Sequence, residues 1–371
     1  MFTVLVVVTL ATAVPSASVS AARPGPVAGC ESITLTAAPG MGELGVRRAV
    51  QCAAPTKLGG RLVAGPEGLW ANTWEGTLVR LDPRTFAVTA TVDIPYVQGI
   101  VLRDDGLWAL VQNLTLVDGN RQVDVLDLVK VDRASGRVLR TTRLPLMAAH
   151  SSDDQAYLAA TADALWVAQA NVPLVARVDP RDASVVATVP LPGRTEAMAG
   201  NASTLWLELW ADDPTGTSRI VAVDATTNAV ANGLACECGG IGRSSKMIVT
   251  DSDVWFSGSA LTHVDVATGA ITTHPRTLTG GLTSAGTDVW AIGPVAITSP
   301  TPDGRWGLVT RITPGSSEPA VGAIVPMKSQ FDSLGSLSTS DGRTLFALRT
   351  RAFPNTTREP AQIIVRLTLA R

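Results

Sequence analysis

Short segments in which apolar residues alternate with polar ones recur along the chain. Seven of them are centred on a large aromatic residue, at Trp70, Trp108, Trp166, Trp206, Trp255, Trp290 and Phe346. Most are followed by a second apolar phrase that ends in Asp, at Asp82, Asp132, Asp179, Asp224 and Asp265. A repeat of about 45 residues built from short strands is typical of a β-propeller. The pattern therefore predicts an all-β, seven-bladed β-propeller of four-stranded antiparallel blades over residues 57–371.

Apolar residues occupy both faces of the second and third predicted strands of each repeat. A sheet of this kind buries both faces only when it packs against a neighbour on each side, and radial packing of blades provides that. We expect the repeated aromatic residue to fill the space between adjacent blades. These side chains are therefore interpreted as core rather than as ligand contacts.

The last repeat ends at its third strand, residues 363–369, so its fourth strand must come from elsewhere in the chain. Two segments before the first repeat have strand character, residues 32–36 and residues 45–50. We predict that one of them adds to the last blade and closes the ring. Residues 23–56 are accordingly an N-terminal extension that carries the closing strand.

Charge also repeats. Most repeats carry a side chain that can be cationic two residues before the repeat Asp, which is replaced by Thr in the last two copies. These side chains are Arg80, Lys130, Arg177, His263, Arg311 and Arg366. The period of two in a strand places this residue and the Asp on one face of the blade. We interpret the pattern as a polar contact repeated from blade to blade, with an anion site as the alternative.

The N-terminus has the features of a targeting segment. Residues 2–14 are an apolar run too short to cross a bilayer comfortably, and small residues follow at 18–22. This predicts a signal peptide over residues 1–22, cut near Ala22, and a secreted or cell-envelope protein. The alternatives are an N-terminal membrane anchor, or a lipid anchor at Cys30, because residues 27–30 match a bacterial lipobox. No later segment is apolar enough to span a membrane.

The chain has four cysteines, and in an oxidising compartment an even count favours disulfides. We expect the pairs Cys30–Cys52 and Cys236–Cys238, with free thiols as the alternative for the second pair. Lipidation of Cys30 would leave Cys52 without its partner. No pair of His lies near either cluster, so a zinc site is not expected.

Only 17 % of the residues are charged and the net charge is −2. Nucleic-acid binding requires clustered Lys and Arg, which the sequence lacks. We expect no nucleic-acid partner, and we expect a monomer.

The phrase over residues 68–95, Gly-Leu-Trp-Ala followed by Gly-Thr-Leu-Val-Arg-Leu-Asp-Pro-Arg-Thr, resembles the repeats of bacterial YVTN-type and quinoprotein-like propellers. It is similar as well to the streptogramin B lyase family of seven-bladed propellers. Residues 338–347 resemble the Ser-Pro-Asp-Gly-type turn of the same superfamily. The resemblance covers residues 57–371 and implies the fold more strongly than an activity, since one fold hosts many functions.

The functional residues of two of these families can be matched to positions in this sequence. Quinoprotein dehydrogenases share the Asp-x-x-x-Gly turn at 132–136 and 265–269, but Arg140 and Thr273 stand where they have a Trp, and Glu237 separates Cys236 from Cys238. We therefore expect no quinone cofactor. Streptogramin B lyases use a His and a Glu with a divalent metal in the central channel. Here only His150 is suitably placed for that role.

Propellers bind ligands at the mouth of the axial channel, on the face formed by the connections from strand D to the next strand A and from strand B to strand C. In the D-to-A segments we predict the site residues Lys57, Tyr96, Gln98, His150, Asp153, Asp154, Arg194, Glu196, Arg243, Lys246, Lys328, Gln330 and Asp332. Three Trp outside the repeat lie in predicted B-to-C connections, at Trp74, Trp210 and Trp306. Clustered exposed Trp marks a binding surface, and the alternative is that each Trp covers its own loop.

These residues lead to two hypotheses. The first is an exported, non-enzymatic propeller that binds a small molecule, a glycan or a protein on its loop-rich face, without a cofactor. The second is a metal-dependent lyase or hydrolase at the channel mouth, centred on His150, Asp153, Asp154 and Glu196, which are residue types suited to acid–base or metal chemistry.

Overall fold

The computed structural model describes residues 19–20, 30–37, 42–117, 120–145, 155–210, 218–231, 233–235, 246–250, 252–257, 261–274, 281–285, 288–295, 306–313, 321–326, 332–351 and 361–370. Every regular element in these ranges is a β-strand. No helix within them could cross a membrane.

Thirty-two strands are present in the described residues. Those before the first blade are β1 (Val19–Ser20), β2 (Cys30–Ser32), β3 (Thr36–Ala37), β4 (Gly42–Glu43) and β5 (Val46–Ala53). Blade 1 contains β6 (Leu58–Gly65), β7 (Gly68–Thr73), β8 (Thr77–Leu81) and β9 (Val88–Asp93). Blade 2 contains β10 (Val97–Arg103), β11 (Gly106–Val117), β12 (Asn120–Val131) and β13 (Val138–Leu144). Blade 3 contains β14 (Ala156–Ala160), β15 (Leu165–Gln169), β16 (Leu174–Val178) and β17 (Val185–Pro190).

The second half of the ring repeats this plan. Blade 4 contains β18 (Arg194–Gly200), β19 (Thr204–Trp210), β20 (Ser218–Asp224) and β21 (Leu234–Ala235). Blade 5 contains β22 (Lys246–Val249), β23 (Asp253–Ser257), β24 (Leu261–Asp265) and β25 (Ile271–His274). Blade 6 contains β26 (Gly281–Ala285), β27 (Asp288–Val295), β28 (Trp306–Ile312) and β29 (Val321–Pro326). Blade 7 contains β30 (Asp332–Thr339), β31 (Thr344–Arg351) and β32 (Ala361–Leu369), completed by β5.

Each blade is an antiparallel sheet, and in blades 1 to 6 its four strands follow one another in chain order. The first strand of every blade touches the first strand of the blades on either side, in the order β6, β10, β14, β18, β22, β26, β30 and back to β6. These seven inner strands therefore surround one axis. The seven-bladed propeller expected from the repeat is confirmed.

The N-terminal extension closes the ring. The strand β5 pairs antiparallel with β32 along its length, with Gln51 opposite Val365 and Ala49 opposite Leu367. Of the two candidate segments, the one at residues 45–50 is thus the closing strand. Residues 32–36 have other partners, because β2 pairs with the outer side of β5 and β3 pairs with β29 of blade 6.

One of the two predicted disulfides lies in this extension. Cys30 and Cys52 are bonded and link β2 to the closing strand β5. Cys236 and Cys238 lie outside the described residues. The bonded pair fastens the outermost strand of blade 7 to the strand that completes the ring.

Each repeat aromatic side chain fills the interface between its own blade and the next. Seven separate hydrophobic clusters correspond to the seven interfaces, and each contains one of these residues. All seven side chains are buried, with at most 8 % of the surface exposed at Trp206. Their assignment to the core is confirmed.

The repeat Asp stabilises the turn between strands C and D of its own blade. At Asp82 the carboxylate accepts hydrogen bonds from the backbone N–H groups of Arg84 and Thr85, at 2.8 and 2.7 Å. The backbone N–H of Phe86 donates to the Asp82 carbonyl at 2.8 Å, which closes the turn with Phe86 at a φ of 58°. The same left-handed position is taken in other blades by Gly136, Ala183, Asn228 and Gly269.

In blades 1 and 2 this left-handed residue packs against the repeat aromatic of the preceding blade, and there its size complements that aromatic. At Gly136 an added Cβ would lie 3.7 Å from the Trp70 ring and 2.9 Å from the Ala90 Cβ, so no side chain fits there. Where the chain has Phe346 instead of Trp, the position is filled by Phe86, edge-to-face at 6.2 Å between ring centroids. At these two interfaces the smaller aromatic, Phe346, meets the larger turn residue, Phe86, and the larger aromatic, Trp70, meets a glycine.

The cationic side chains that precede the repeat Asp lie over the aromatic rings. The Arg80 guanidinium is 5.9 Å from the Trp70 ring centre, and the Lys130 ammonium is 5.1 Å from that of Trp108. Arg80 Nη1 also donates a 2.8 Å hydrogen bond to the Arg133 carbonyl in the next blade. The sequence pattern is thus explained by structural contacts of the cation with ring faces, with carboxylates such as Asp105 and Asp163 of the same blade, and in blade 1 with a backbone carbonyl of the next blade.

Candidate functional site

The inner strands begin at one face of the ring, which also carries the B-to-C connections. We call it the upper face, and it is the face on which the sequence places the candidate site. Several of the predicted site residues lie outside the described residues: His150, Asp153, Asp154, Arg243, Lys328 and Gln330. Trp306 and Asp332 are the first residues of β28 and β30, so both occupy upper strand ends.

Two inner strands carry an extra polar residue near their upper ends. In β10, Val97 is opposite Val111 and Gly99 is opposite Leu110, so Gln98 is the inserted residue of a β-bulge. In β18 the inserted residue is Glu196, between Thr195 and Ala197. A bulge removes a side chain from the regular alternation and re-aims it, which is why bulges are frequent beside functional sites. Both predicted residues, Gln98 and Glu196, are half-buried at this position.

The largest irregularity is in the inner strand of blade 1. Leu58 pairs with Thr73 and Leu62 with Ala71, which leaves Gly59, Gly60 and Arg61 in an enlarged bulge. Gly60 has a φ of 93°, a value that L side chains rarely adopt, and a Cβ placed there would meet no atom within 4 Å. The bulge thus offers Arg61 beside open space.

Arg61 and Lys246 belong to blades 1 and 5, yet each lies within electrostatic reach of side chains from other blades. Burial lowers the pKa of Lys246 to about 8, and the positive charge of Arg61 lowers it as well. Burial also lowers the pKa of Arg61, whereas the nearby Tyr157 of blade 3 raises it. Residues of blades 1, 3 and 5 are mutual neighbours only around the axis, so these three side chains converge on the channel.

Solvent reaches the Lys246 side chain, and Arg61 is half-buried. The lowered pKa values arise because the inner strands surround both groups with protein atoms even where water touches them. The Tyr157 hydroxyl donates to Gln155 Oε1 at 3.4 Å, next to the start of β14. The described part of the channel is therefore locally cationic.

Two aromatic side chains are exposed on the upper face beside blade 1. Trp74, in the B-to-C turn, has 73 % of its surface exposed, and Tyr96, in the D-to-A connection, has 49 %. The two segments are in contact, since a Cβ on Gly76 would lie 3.3 Å from the Pro95 Cα. Tyr96 has a φ of 53°, a strained value for a residue with a side chain. Trp74 and Tyr96 are thus two exposed aromatic side chains on neighbouring segments, here called the aromatic patch.

Trp210 differs from Trp74 in its position and its burial. Trp210 is the last residue of β19 rather than a loop residue; it is half-buried and pairs across the sheet with Arg194, the first residue of β18. Lys57 holds the turn of the aromatic patch in place, because its carbonyl accepts a 3.0 Å hydrogen bond from the Trp74 backbone N–H.

Sequence reasoning missed Arg61, the residue that makes the channel cationic. Its only signal was the Gly-Gly pair that precedes it, which breaks the alternation of the first inner strand. It also missed two charged groups buried between blades, Glu208 at 1 % exposure and Arg349 at 0 %. Arg349 donates to Gln51 Oε1 at 3.2 Å and thereby ties blade 7 to its closing strand.

The described residues contain no group of three or more His, Cys, Asp or Glu that could hold a metal ion. The centre proposed for a lyase includes His150, Asp153 and Asp154, which are not described, so that hypothesis stays a prediction. A separate cavity of about 310 Å³ lies near the N-terminal strands and is lined in part by Glu43, Arg47 and Arg48. Because Arg47 and Arg48 are at the lower end of β5, the cavity is remote from the upper face.

Solved structures share the fold. BamB from Moraxella catarrhalis is 15 % identical with a TM-score of 0.51, and the match covers 91 % of this chain and 100 % of that one. The Pan2 WD40 domain of Neurospora crassa is 11 % identical with a TM-score of 0.56, covering 86 % and 94 %. The dihydro-heme d1 dehydrogenase NirN, solved in complex with DHE, is 14 % identical with a TM-score of 0.50, covering 84 % and 66 %.

No protein-family model and no curated protein sequence matches the chain. At identities this low the likeness shows the fold alone. The chain is a seven-bladed β-propeller with BamB and NirN among its structural neighbours.

Proposed function

We propose that the protein is an exported, non-enzymatic β-propeller that binds a ligand or a protein partner on its upper face. The observation that carries the proposal is the aromatic patch. Trp74 is the most exposed large hydrophobic side chain among the described residues. Exposure of an indole to water is unfavourable, and aromatic side chains supply much of the binding energy where proteins meet partners.

The backbone at the patch supports the same function. Tyr96 keeps a left-handed φ although it is not glycine, and such a conformation costs about 1–2 kcal/mol. Its carbonyl accepts a 3.2 Å hydrogen bond from the Gln112 backbone N–H, which fixes the segment against blade 2. A strained but anchored loop presents the tyrosine in one orientation, which reduces the entropy lost on binding.

Proteins with this fold serve in both binding and catalysis. One structural neighbour belongs to the Mitotic Checkpoint Complex, at 13 % identity and a TM-score of 0.53, whereas NirN is named as a dehydrogenase. The fold is therefore compatible with the proposal but does not choose between the two roles.

The test compares Trp74→Ala and Tyr96→Ala with a matched control, Val186→Ala, which removes an exposed apolar side chain from the outer strand of blade 3. Arrays of small molecules, glycans and peptides are probed with the wild-type protein, and affinities for the members bound are then measured. We expect tenfold or greater losses for the patch variants, an unchanged control, and melting temperatures within a few degrees of wild type. Unfolding of Trp74→Ala, or equal binding by all four proteins, would contradict the proposal.

A further inference from the structure

The axial channel holds two positive side chains, Arg61 and Lys246, and neither belongs to an ion pair found among the described residues. Arg61 and Lys246 are close enough for one charge to lower the pKa of the other. The ion pairs among the described residues use other cations, including Lys130 with Asp105 and Arg177 with Asp163. The hydrogen bonds found at Arg61 and Lys246 involve only their backbone N–H groups, to Asn72 and Ser257.

Placing two like charges within electrostatic reach of each other across the channel is unfavourable for the folded protein. Partial burial removes water from each cation, and the reduced screening strengthens their mutual repulsion. An anion between them would reverse the sign of the interaction and supply the missing hydrogen-bond acceptors. The open space beside Gly60, where an added Cβ would meet nothing within 4 Å, leaves room for such a group next to Arg61.

We propose that Arg61 and Lys246 bind an oxyanion, the carboxylate or phosphate group of a small molecule, in the axial channel. The guanidinium offers parallel N–H donors that match two oxygens of such a group, and the ammonium adds a point charge from the opposite side of the ring. Tyr157, within electrostatic reach of Arg61, places a hydroxyl in the same region. The proposal names the ligand class of the upper face and so rests on the proposed function.

The experiment uses inorganic phosphate, sulfate and succinate as probes, titrated into the full-length protein by calorimetry at constant ionic strength. The variants are Arg61→Gln and Lys246→Gln. The matched control is Arg140→Gln, which removes one positive charge from an exposed position on the outer strand of blade 2. We expect at least a tenfold loss of affinity in both channel variants, and wild-type affinity in the control. The probe that binds best tells a phosphate ligand from a carboxylate ligand.

Thermal unfolding supplies an independent readout that does not depend on calorimetric heat. In buffer without the anion, Lys246→Gln should melt at or above the wild-type temperature, because a repulsion is removed. The wild-type protein should gain stability as the anion is added, and the variant should not. Wild-type affinity in both channel variants, or an equal loss in Arg140→Gln, would overturn the oxyanion site.

The two proposals can fail separately. If Trp74→Ala abolishes partner binding while no anion binds through Arg61, the upper face is a binding surface and the oxyanion inference is wrong. If anions bind through Arg61 and Lys246 while the aromatic patch has no effect on any ligand, the channel site stands and the role of the patch is wrong.

Discussion

The complementary sizes of Phe86 and Phe346 predict a specific energetic coupling at the interface between blades 7 and 1. Phe346→Trp inserts extra atoms against Phe86, whose side chain is 1 % exposed, and overpacking of this kind costs about 1–3 kcal/mol. Phe86→Gly removes a buried ring, at a cost of about 3–5 kcal/mol. Glycine relieves the left-handed strain at this position, about 1–2 kcal/mol, so the net loss is about 1–4 kcal/mol.

The double variant should restore the arrangement seen at Trp70 and Gly136. We expect its stability to be close to that of Phe86→Gly alone, whereas independent effects would add. The coupling energy should then be about 1–3 kcal/mol in the favourable direction. Urea denaturation followed by far-ultraviolet circular dichroism measures it without interference from the added indole.

The control pairs Phe86→Gly with Trp255→Phe, on the far side of the ring in blade 5. These sites share no neighbour, so their effects should add to within about 0.5 kcal/mol. The size-complementarity argument would be refuted by a coupling near zero between positions 86 and 346, or by an equal coupling in the distant control.

Three further predictions concern the closing strand, the turns and the channel. Reduction of Cys30–Cys52 should lower stability by about 3 kcal/mol, as expected for a sequence separation of 22 residues, and Cys30→Ser with Cys52→Ser should remove the sensitivity of the melting temperature to reductant. A hydrogen bond from the Arg181 side chain, together with one from the Arg181 backbone N–H, lowers the pKa of Asp179 to about 2. The stabilisation by this carboxylate is therefore present above pH 4 and lost as the pH falls toward 2. In an acid titration, Asp179→Asn should lose less folding stability than the wild type. Sulfate affinity should fall as the pH rises through about 8, because Lys246 loses its proton there beside Arg61 and Tyr157. The variant Lys246→Arg should keep its sulfate affinity over the same pH range. A pH-independent sulfate affinity in the wild type would count against the channel site.

The blades could be predicted because the same kind of side chain, a large aromatic that fills the interface between blades, occurs seven times in the sequence. Each blade needs one large apolar side chain at its interface and one capped turn, so Trp70 or Asp82 can be recognised from its copies. The closing strand was less certain, since residues 32–36 and 45–50 both alternate. The structure selects the eight-residue β5, which is long enough to pair with the nine residues of β32.

The channel site could not be predicted in the same way. Arg61 occurs once, in a bulge that the period does not encode, and its effect on Lys246 depends on ring closure bringing blades 1 and 5 to the same axis. Glu196 and Gln98 could be predicted because they lie where every repeat enters its inner strand. Candidate functional residues such as Arg61 depart from the repeat, and a residue that occurs only once cannot be recognised from its copies.

The pairing of β5 with β32 separates two events in the synthesis of this protein. The strand β5 ends at Ala53 and its partner β32 begins at Ala361, so the ribosome makes β5 long before the edge that it completes. Until β32 is made, the edge of β5 that will face it has no partner, and an unpaired edge is a surface at which nascent chains associate with each other. The closure of blade 7 is therefore the folding step most exposed to misassembly.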